Sequence, residues 1–265
     1  MPWKINKIMD IDIEKLIKAA KAGSEVLKKY FGEVLETKEK NDASDYQTKA
    51  DLESEAAIFK HIKSDFPDFN IHSEEEGITD KGSDYTIIID PLDGTNNFVL
   101  GVPLVAVCVA IIKNNKTIAG VVHNPIIDQT YYAQLGKGSY LEGKKLSVNK
   151  ESDIERANVS YIQGYKTGNH TEGDMLSRIQ NAGVKRALTL WSPGLDFCLL
   201  ASGRIEAIII NQMEIYDYVP GKLIATEAGA KATDFNGNNE LDTKNDSFLI
   251  SNNTAVHQKV LDLLK

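Results

Sequence analysis

IIIDPLDGTNNF, residues 87–98, runs a β-branched apolar segment straight into two aspartates three apart, Asp90 and Asp93, with Pro91 between them and Gly94-Thr95 behind. An apolar run without polar alternation reads as a strand covered on both faces, so the fold it belongs to is layered. Two like charges at the mouth of such a strand repel each other and lose hydration, which calls for a compensating group. Pro91 and Gly94 predict a tight turn that ends the strand at Asp90 and lets Asp90 and Asp93 converge. Hard divalent cations want oxygen ligands, and Mg²⁺ is held by a few carboxylates plus waters and substrate phosphate. The Leu92 carbonyl, freed from the strand ladder by the turn, is a further candidate ligand. If GTNNF opens a helix, the amides of Gly94 and Thr95 sit at its positive end as a phosphate cradle. The bland alternative makes Asp93 a helix cap and Asp90 a turn residue.

Outward from this stretch the periodicity changes with position. Ile13, Leu16, Ile17, Ala20, Gly23, Leu27 and Tyr30 fall at helical spacing, predicting a helix over 12–31. A polar loop follows over 38–51, then a second helix over 49–64 with Leu52, Ala56, Phe59 and Ile62 on its inner stripe. Strand-like segments come next at 86–90, 105–112, 117–124 and 130–136. The second half alternates helices near 171–182, 194–202, 218–229 and from 254 with the strands RIEAIIIN (204–211) and SFLIS (247–251). Without a Pro/Gly/Ser-rich linker, the pattern predicts one domain over 1–265, with two sub-halves meeting near residue 150.

The bulk properties exclude several classes. Net charge is −8, with no run of five or more basic residues and no aromatic interleaving among the lysines, which argues against nucleic-acid binding. Cys108 and Cys198 each lie inside an apolar run, as core residues of a reducing compartment. The MPWKINKIMD segment lacks the apolar core of a signal peptide, and no apolar run reaches the roughly 18 residues of a membrane span. The expectation is a cytoplasmic chain without membrane contact, in which the sequons at Asn158, Asn169 and Asn252 carry no weight.

Further carboxylates shift the balance toward chemistry. HSEEEG, 72–77, puts Glu74, Glu75 and Glu76 after a short strand-like piece, and YDYVPG, 216–221, puts Asp217 where a helix begins after an apolar strand. Thr48-x-x-Asp51 fits a capping box for the second helix, which does not exclude a second role for Asp51. His72 lies near the acids, but an oxygen-rich site does not require it; His123, ending an apolar strand, reads as a structural histidine. A D-x-D-x-T phosphatase motif is excluded by Pro91 and Gly94, and DFNGNNELD (234–242) departs from a calcium loop, so it reads as a turn between strands.

The combination of SEE (73–75), DPLDGTNNF (90–98) and Tyr216-Asp217 with ATEAG (225–229) resembles the inositol monophosphatase family, of the Mg²⁺-dependent, lithium-sensitive phosphatases that include fructose-1,6-bisphosphatase. The resemblance spans essentially the whole chain. It implies an α+β fold, the layered α-β-α-β-α sandwich of the sugar phosphatases, a homodimer, and hydrolysis of a small phosphorylated substrate with two to three Mg²⁺ per active site. It further implies that Glu74, Asp90 and the Leu92 carbonyl hold one metal, and that Asp90, Asp93 and Asp217 hold a second. Thr95, bonded toward Asp51, orients the attacking water, and Glu74 shares the catalytic role. Gly94, Thr95, Trp191, Ser192 and Asp217 form the substrate site, and Lys40 takes the place of a family lysine in a loop over the metals.

Departures concern the substrate. The usual Trp before the last aspartate is Tyr216, and Val219-Pro220 follow it, Pro220 being expected in the helix's first turn. Counting back seven from Asp217 reaches Ile210, where inositol monophosphatases carry an acid that reads hydroxyls; Glu214 or Gln212 is the candidate substitute. Trp191-Ser192-Pro193 replaces a wall of small residues. These departures favour a broad or non-inositol preference, with fructose 1,6-bisphosphate, 3′-phosphoadenosine 5′-phosphate and histidinol phosphate as alternatives to inositol monophosphate. A non-catalytic phosphate- or metal-binding scaffold is the rival of another class; it is expected to lack one of the acids or Thr95, all of which are present.

Overall fold

The structure, a computed structural model, describes residues 11–34, 36–40, 46–165, 172–241 and 243–265. The decapeptide at 1–10, the loop centre at 41–45, the Asn169 sequon and Asp242 lie outside the described residues. In the first half, helix α1 (Ile13–Tyr30), the hairpin β1 (Thr37–Glu39) and β2 (Tyr46–Thr48), and helix α2 (Lys49–Asp65) come first. Strands β3 (Asn70–Ser73), β4 (Gly77–Thr79) and β5 (Tyr85–Asp93), the short helix α3 (Thr95–Leu100), and β6 (Ala106–Lys113), β7 (Lys116–Asn124), β8 (Gln129–Gln134), β9 (Gly138–Leu141) and β10 (Lys144–Lys145) follow. The second half runs β11 (Asn158–Gln163), α4 (Glu172–Asn181), β12 (Arg186–Leu188), α5 (Pro193–Ala201), β13 (Ala207–Asn211), α6 (Ile215–Glu227), β14 (Lys231–Thr233), β15 (Phe248–Ser251) and α7 (Ala255–Asp262).

These elements stack in five layers. Strands β3–β10 make one eight-stranded sheet, ordered β10-β9-β8-β7-β6-β5-β3-β4, in which only β3 and β5 run parallel. Strands β11–β15 make a five-stranded sheet ordered β12-β11-β13-β15-β14. Helices α1 and α2 cover one face of the large sheet, α5 and α6 fill the space between the sheets, and α4 and α7 cover the far face of the small one. The apolar runs explain the stacking. In β6, Ala106, Cys108 and Ala110 face α5 and α6 while Val107, Val109 and Ile111 face α1 and α2. In β13, Ile208 and Ile210 face the middle layer while Ala207 and Ile209 face α4 and α7. Both faces of each strand are therefore apolar, and the small side chains on one face of β6 admit a close-packed helical layer. The fold is the α+β layered sandwich. Both cysteines are free and buried, and no described helix is long and apolar enough to cross a membrane.

Three expectations are corrected. Asp90 does not end its strand: β5 continues to Asp93, which pairs with Ala106, and the register breaks between the two aspartates. That bulge leaves Pro91 and Leu92 out of the ladder, and the turn comes only at Gly94. The inner face of α2 carries Asp51, Ser54 and Glu55 beside Ile58, Phe59 and Ile62, whereas Leu52 and Ala56 are exposed, because polar side chains are turned inward toward the loops above the sheet. Helix α6 begins at Ile215, so Pro220 is inside it rather than in its first turn; its missing N–H leaves the Tyr216 carbonyl without an i+4 donor.

The approach of α6 to the large sheet is set by Gly120 on β7, where a Cβ would lie 2.9 Å from the Pro220 carbonyl oxygen and 3.2 Å from its Cα. Backbone cannot rotate away as a side chain can, so Gly120→Ala is expected to destabilise the protein by about 1–3 kcal/mol. Denaturant melts of the two forms check this.

Candidate active site

The site forms where β5, α2, α5 and α6 meet. Carboxylate oxygens of Asp90, Asp93 and Asp217 all lie within 4.8 Å of one another, Asp90 and Asp93 buried and Asp217 partly so. Each is fixed by its element. Asp90 accepts the Leu92 amide at 2.9 Å, closing the bulge on itself. Asp93 Oδ2 accepts the Ser192 hydroxyl at 2.5 Å and the Gly194 amide at 3.1 Å, both from the start of α5. Asp93 Oδ1 is buried with no hydrogen-bond partner among the described residues. Asp217, third residue of α6, accepts the Glu214 amide at 3.1 Å, so it caps its helix and faces the cluster at once.

Thr95 and Asp51 adjoin the cluster. The Thr95 hydroxyl lies 3.2 Å from Asp51 Oδ1 and 3.0 Å from the Leu92 carbonyl. Asp51 Oδ2 accepts the Thr48 amide at 2.8 Å and the Thr48 hydroxyl at 2.6 Å, the capping box read from the sequence. Ser54, one turn on, donates to the Pro91 carbonyl at 2.8 Å and pins the bulge to α2. Gly94 has φ +87°, and a Cβ there would meet the carbonyls of Leu104 at 2.9 Å and Trp191 at 3.1 Å, so only glycine makes this turn.

Glu74 is near these acids but outside their converging oxygens. Its Oε1 accepts from Lys40 Nζ at 2.8 Å, and the same ammonium bonds Glu75 at 2.6 Å; Gln47 also donates to Glu75. Burial pulls the Lys40 pKa down, but Glu74 and Glu75 outweigh it and hold the ammonium above its ordinary range. The carboxyls are shifted upward together. Burial pushes Asp93 up to about 8 and Glu74 up to about 7, the latter despite Lys40. Asp90 and Asp217 are raised well above the usual range by burial and then by the charge of Glu74. Asp51 is raised to about 6 by burial, against the bonds from Thr48.

Other expected residues take different places. Ser192, expected on the substrate wall, is fully buried and its hydroxyl is spent on Asp93. Trp191 is 53% exposed with φ +55°, its ring open to solvent while its carbonyl backs Gly94. Ile210 is fully buried in β13 opposite Phe248 and belongs to the middle core, so that position reads no substrate. The chain reaches the surface beyond it, at Gln212 with φ +58° and at exposed Glu214. His72 packs edge-on against Tyr216 with centroids 6.3 Å apart, and His123 bonds Thr130 at 3.0 Å as a structural histidine. The sequence reading missed Ser54, Glu55 and Gln47, although Ser54 and Glu55 follow Asp51 by three and four residues and so share its helix face.

The donor set fits a hard divalent cation: three carboxylates converge, one buried oxygen has no partner among the described residues, and burial, joined by repulsion from neighbouring acids, raises the pKa of all three. The inositol monophosphatase family model matches residues 10–265. A fructose-1,6-bisphosphatase/inositol-1-monophosphatase of Thermotoga maritima is 31% identical over 250 residues, 94% of this chain and 93% of that protein. The Nus factor SuhB of Vibrio cholerae is 36% identical over 225 residues, 83% of each chain. Among solved structures, an inositol monophosphatase of Thermotoga maritima superposes with a TM-score of 0.85 at 30% identity, covering 95% of each chain. With the buried acids, the layered sandwich and these likenesses in agreement, the chain belongs to the inositol monophosphatase family and is a phosphoric monoester hydrolase.

Proposed function

We propose that the acid cluster holds Mg²⁺ and that the chain hydrolyses inositol monophosphate and closely related sugar phosphates there. The observation that carries this reading is the convergence of carboxylate oxygens of Asp90, Asp93 and Asp217, with Asp93 Oδ1 buried and unpartnered among the described residues. Glu74, Asp90 and the Leu92 carbonyl would hold one cation, and Asp90, Asp93 and Asp217 a second. Bound there, divalent cations supply Lewis acidity to the phosphoryl oxygens and lower the pKa of water. The protein's own part is orientation. Asp51, ionised above about pH 6, draws the Thr95 proton toward Oδ1 and leaves a lone pair on the Thr95 oxygen to receive a hydrogen from the attacking water. The amides of Gly94 and Thr95 are assigned to the phosphate and the Trp191 indole to the substrate wall. With Ile210 in the core, Gln212 and Glu214 are left as the groups to read hydroxyls. Lithium sensitivity, a cytoplasmic location, a homodimer and a single folding unit over 1–265 complete the reading. The SuhB likeness raises a non-catalytic role; the full set of acids with Thr95 favours turnover.

The test is phosphate release from inositol 1-phosphate, fructose 1,6-bisphosphate, 3′-phosphoadenosine 5′-phosphate and histidinol phosphate, with Mg²⁺ and in EDTA. Release that requires Mg²⁺, with the first two substrates within about a hundredfold in kcat/KM, is expected. A site built to read one hydroxyl pattern discriminates by about 10⁴ or more, and selectivity of that size would overturn the broad reading. Undiminished release in EDTA would overturn the metal.

A further inference from the structure

We infer that Glu55 is a positioning residue for the metal site: its buried carboxylate holds the backbone of the acid triplet at 74–76 so that Glu74 is presented to the cluster. Glu55 lies on the inner face of α2, one turn beyond Asp51, and is 2% exposed. Its Oε1 accepts the amides of Glu75 at 3.2 Å and Glu76 at 3.4 Å. On the other side, the Glu74 amide donates to the Ile89 carbonyl of β5 at 3.1 Å, next to Asp90. The triplet is thus strung between the strand that carries Asp90 and the helix that carries Asp51. Residues 74–76 belong to no strand, so these bonds set where the Glu74 side chain starts.

Stability alone does not account for an acid at this position. Among the described residues no Lys, Arg or His forms an ion pair with Glu55; its carboxyl is buried against the amides of Glu75 and Glu76 beside the Ser73 hydroxyl, and burial raises its pKa. Burying a carboxylate without a countercharge is costly. A charged acceptor holds two amides more strongly than a neutral one, which makes the triplet stiffer. Second-tier partners of metal ligands are worth about 10–100-fold in metal affinity.

The inference rests on the cluster being a metal centre, so metal binding and folding are read separately. Mn²⁺ affinity is measured by calorimetry on the full chain, melting of the metal-free protein by circular dichroism, and kcat at saturating metal with 4-nitrophenyl phosphate. Glu55→Ala is expected to weaken Mn²⁺ binding about 10–100-fold while kcat at saturating metal stays within a few-fold. Glu55→Gln, which keeps an acceptor oxygen but not the charge, is expected to bind Mn²⁺ with an affinity between those of wild type and Glu55→Ala. Glu55→Ser, too short to reach the triplet, replaces the alanine variant if that form does not fold. Mn²⁺ binding by Glu55→Ala equal to wild type overturns this inference alone, as does equal weakening in the Gln and Ala variants accompanied by equal loss of melting temperature. Absence of Mn²⁺ binding by the wild-type protein overturns it together with the metal reading.

Discussion

Asp93→Asn is expected to lower phosphate release by about three orders of magnitude or more, a loss equivalent to several kcal/mol of transition-state stabilisation. The two oxygens of Asp93 are placed differently: Oδ2 takes the Ser192 hydroxyl and the Gly194 amide, while Oδ1 is buried and has no hydrogen-bond partner among the described residues, which leaves it for a cation. An asparagine cannot serve both. With its oxygen kept on Ser192 and Gly194, its NH₂ group points donor hydrogens at the cation; flipped, it sets that NH₂ against two donors. Either way one negative charge is gone. The same change removes like-charge repulsion from a buried cluster, so the metal-free variant is expected to melt higher than the wild type at pH 8, even as activity disappears. Steady-state phosphate release within tenfold of wild type would count against the assignment of Asp93.

Metal-free protein is expected to lose melting temperature steadily from pH 6.5 to 8.5, by on the order of 10 °C. Asp93, at about 8, and Glu74 and Asp196, at about 7, are all raised by burial, and Asp90 and Asp217 are raised further. Their unfolded-state values are near 4. A raised folded pKa means that the native state keeps a proton the unfolded chain releases. The stability so contributed is complete below about pH 4 and is lost as pH rises through the folded values. His123 and His257, depressed by burial to about 4, act in the opposite sense but only below about pH 6.5, outside this window. A divalent cation replaces those protons as countercharge, so added Mg²⁺ is expected to raise the melting temperature strongly at pH 8.5 and little at pH 6.5. Calorimetric scans with and without Mg²⁺ check both; metal-free melting that is flat or rises with pH would contradict the shifts.

The layers were legible in the sequence because their strands are apolar on both faces. VAVCVAII carries small residues at 106, 108 and 110 and larger ones between them, and the structure places those two sets against different helical layers. The failures have separate causes. Hydrophobic periodicity locates a buried face by its apolar residues, and near the site the buried face is polar. Asp51, Ser54 and Glu55 occupy the inner stripe of α2, so apolar Leu52 and Ala56 were misread as inward. Strand β5 continues through Pro91 by means of a bulge, which turn propensities alone read as a stop. An ungapped count puts Ile210 at the substrate-reading position, yet pairing with Phe248 keeps it in the sheet, and the positive-φ turn comes only at Gln212. The converging acids lie within short local motifs, whereas the proposed substrate side depends on where loops from distant elements leave the sheet.

The central claim is that the converging acids are a divalent-cation centre. The most direct measurement is an anomalous difference map from crystals of this protein soaked in Mn²⁺. At least two peaks are expected beside the end of β5, one contacting Asp90, Asp93 and Asp217 and another contacting Glu74, Asp90 and the Leu92 carbonyl, with Lys40 displaced from Glu74. A map with no peak touching Asp93 Oδ1, at Mn²⁺ concentrations that support full phosphate release, would contradict the claim.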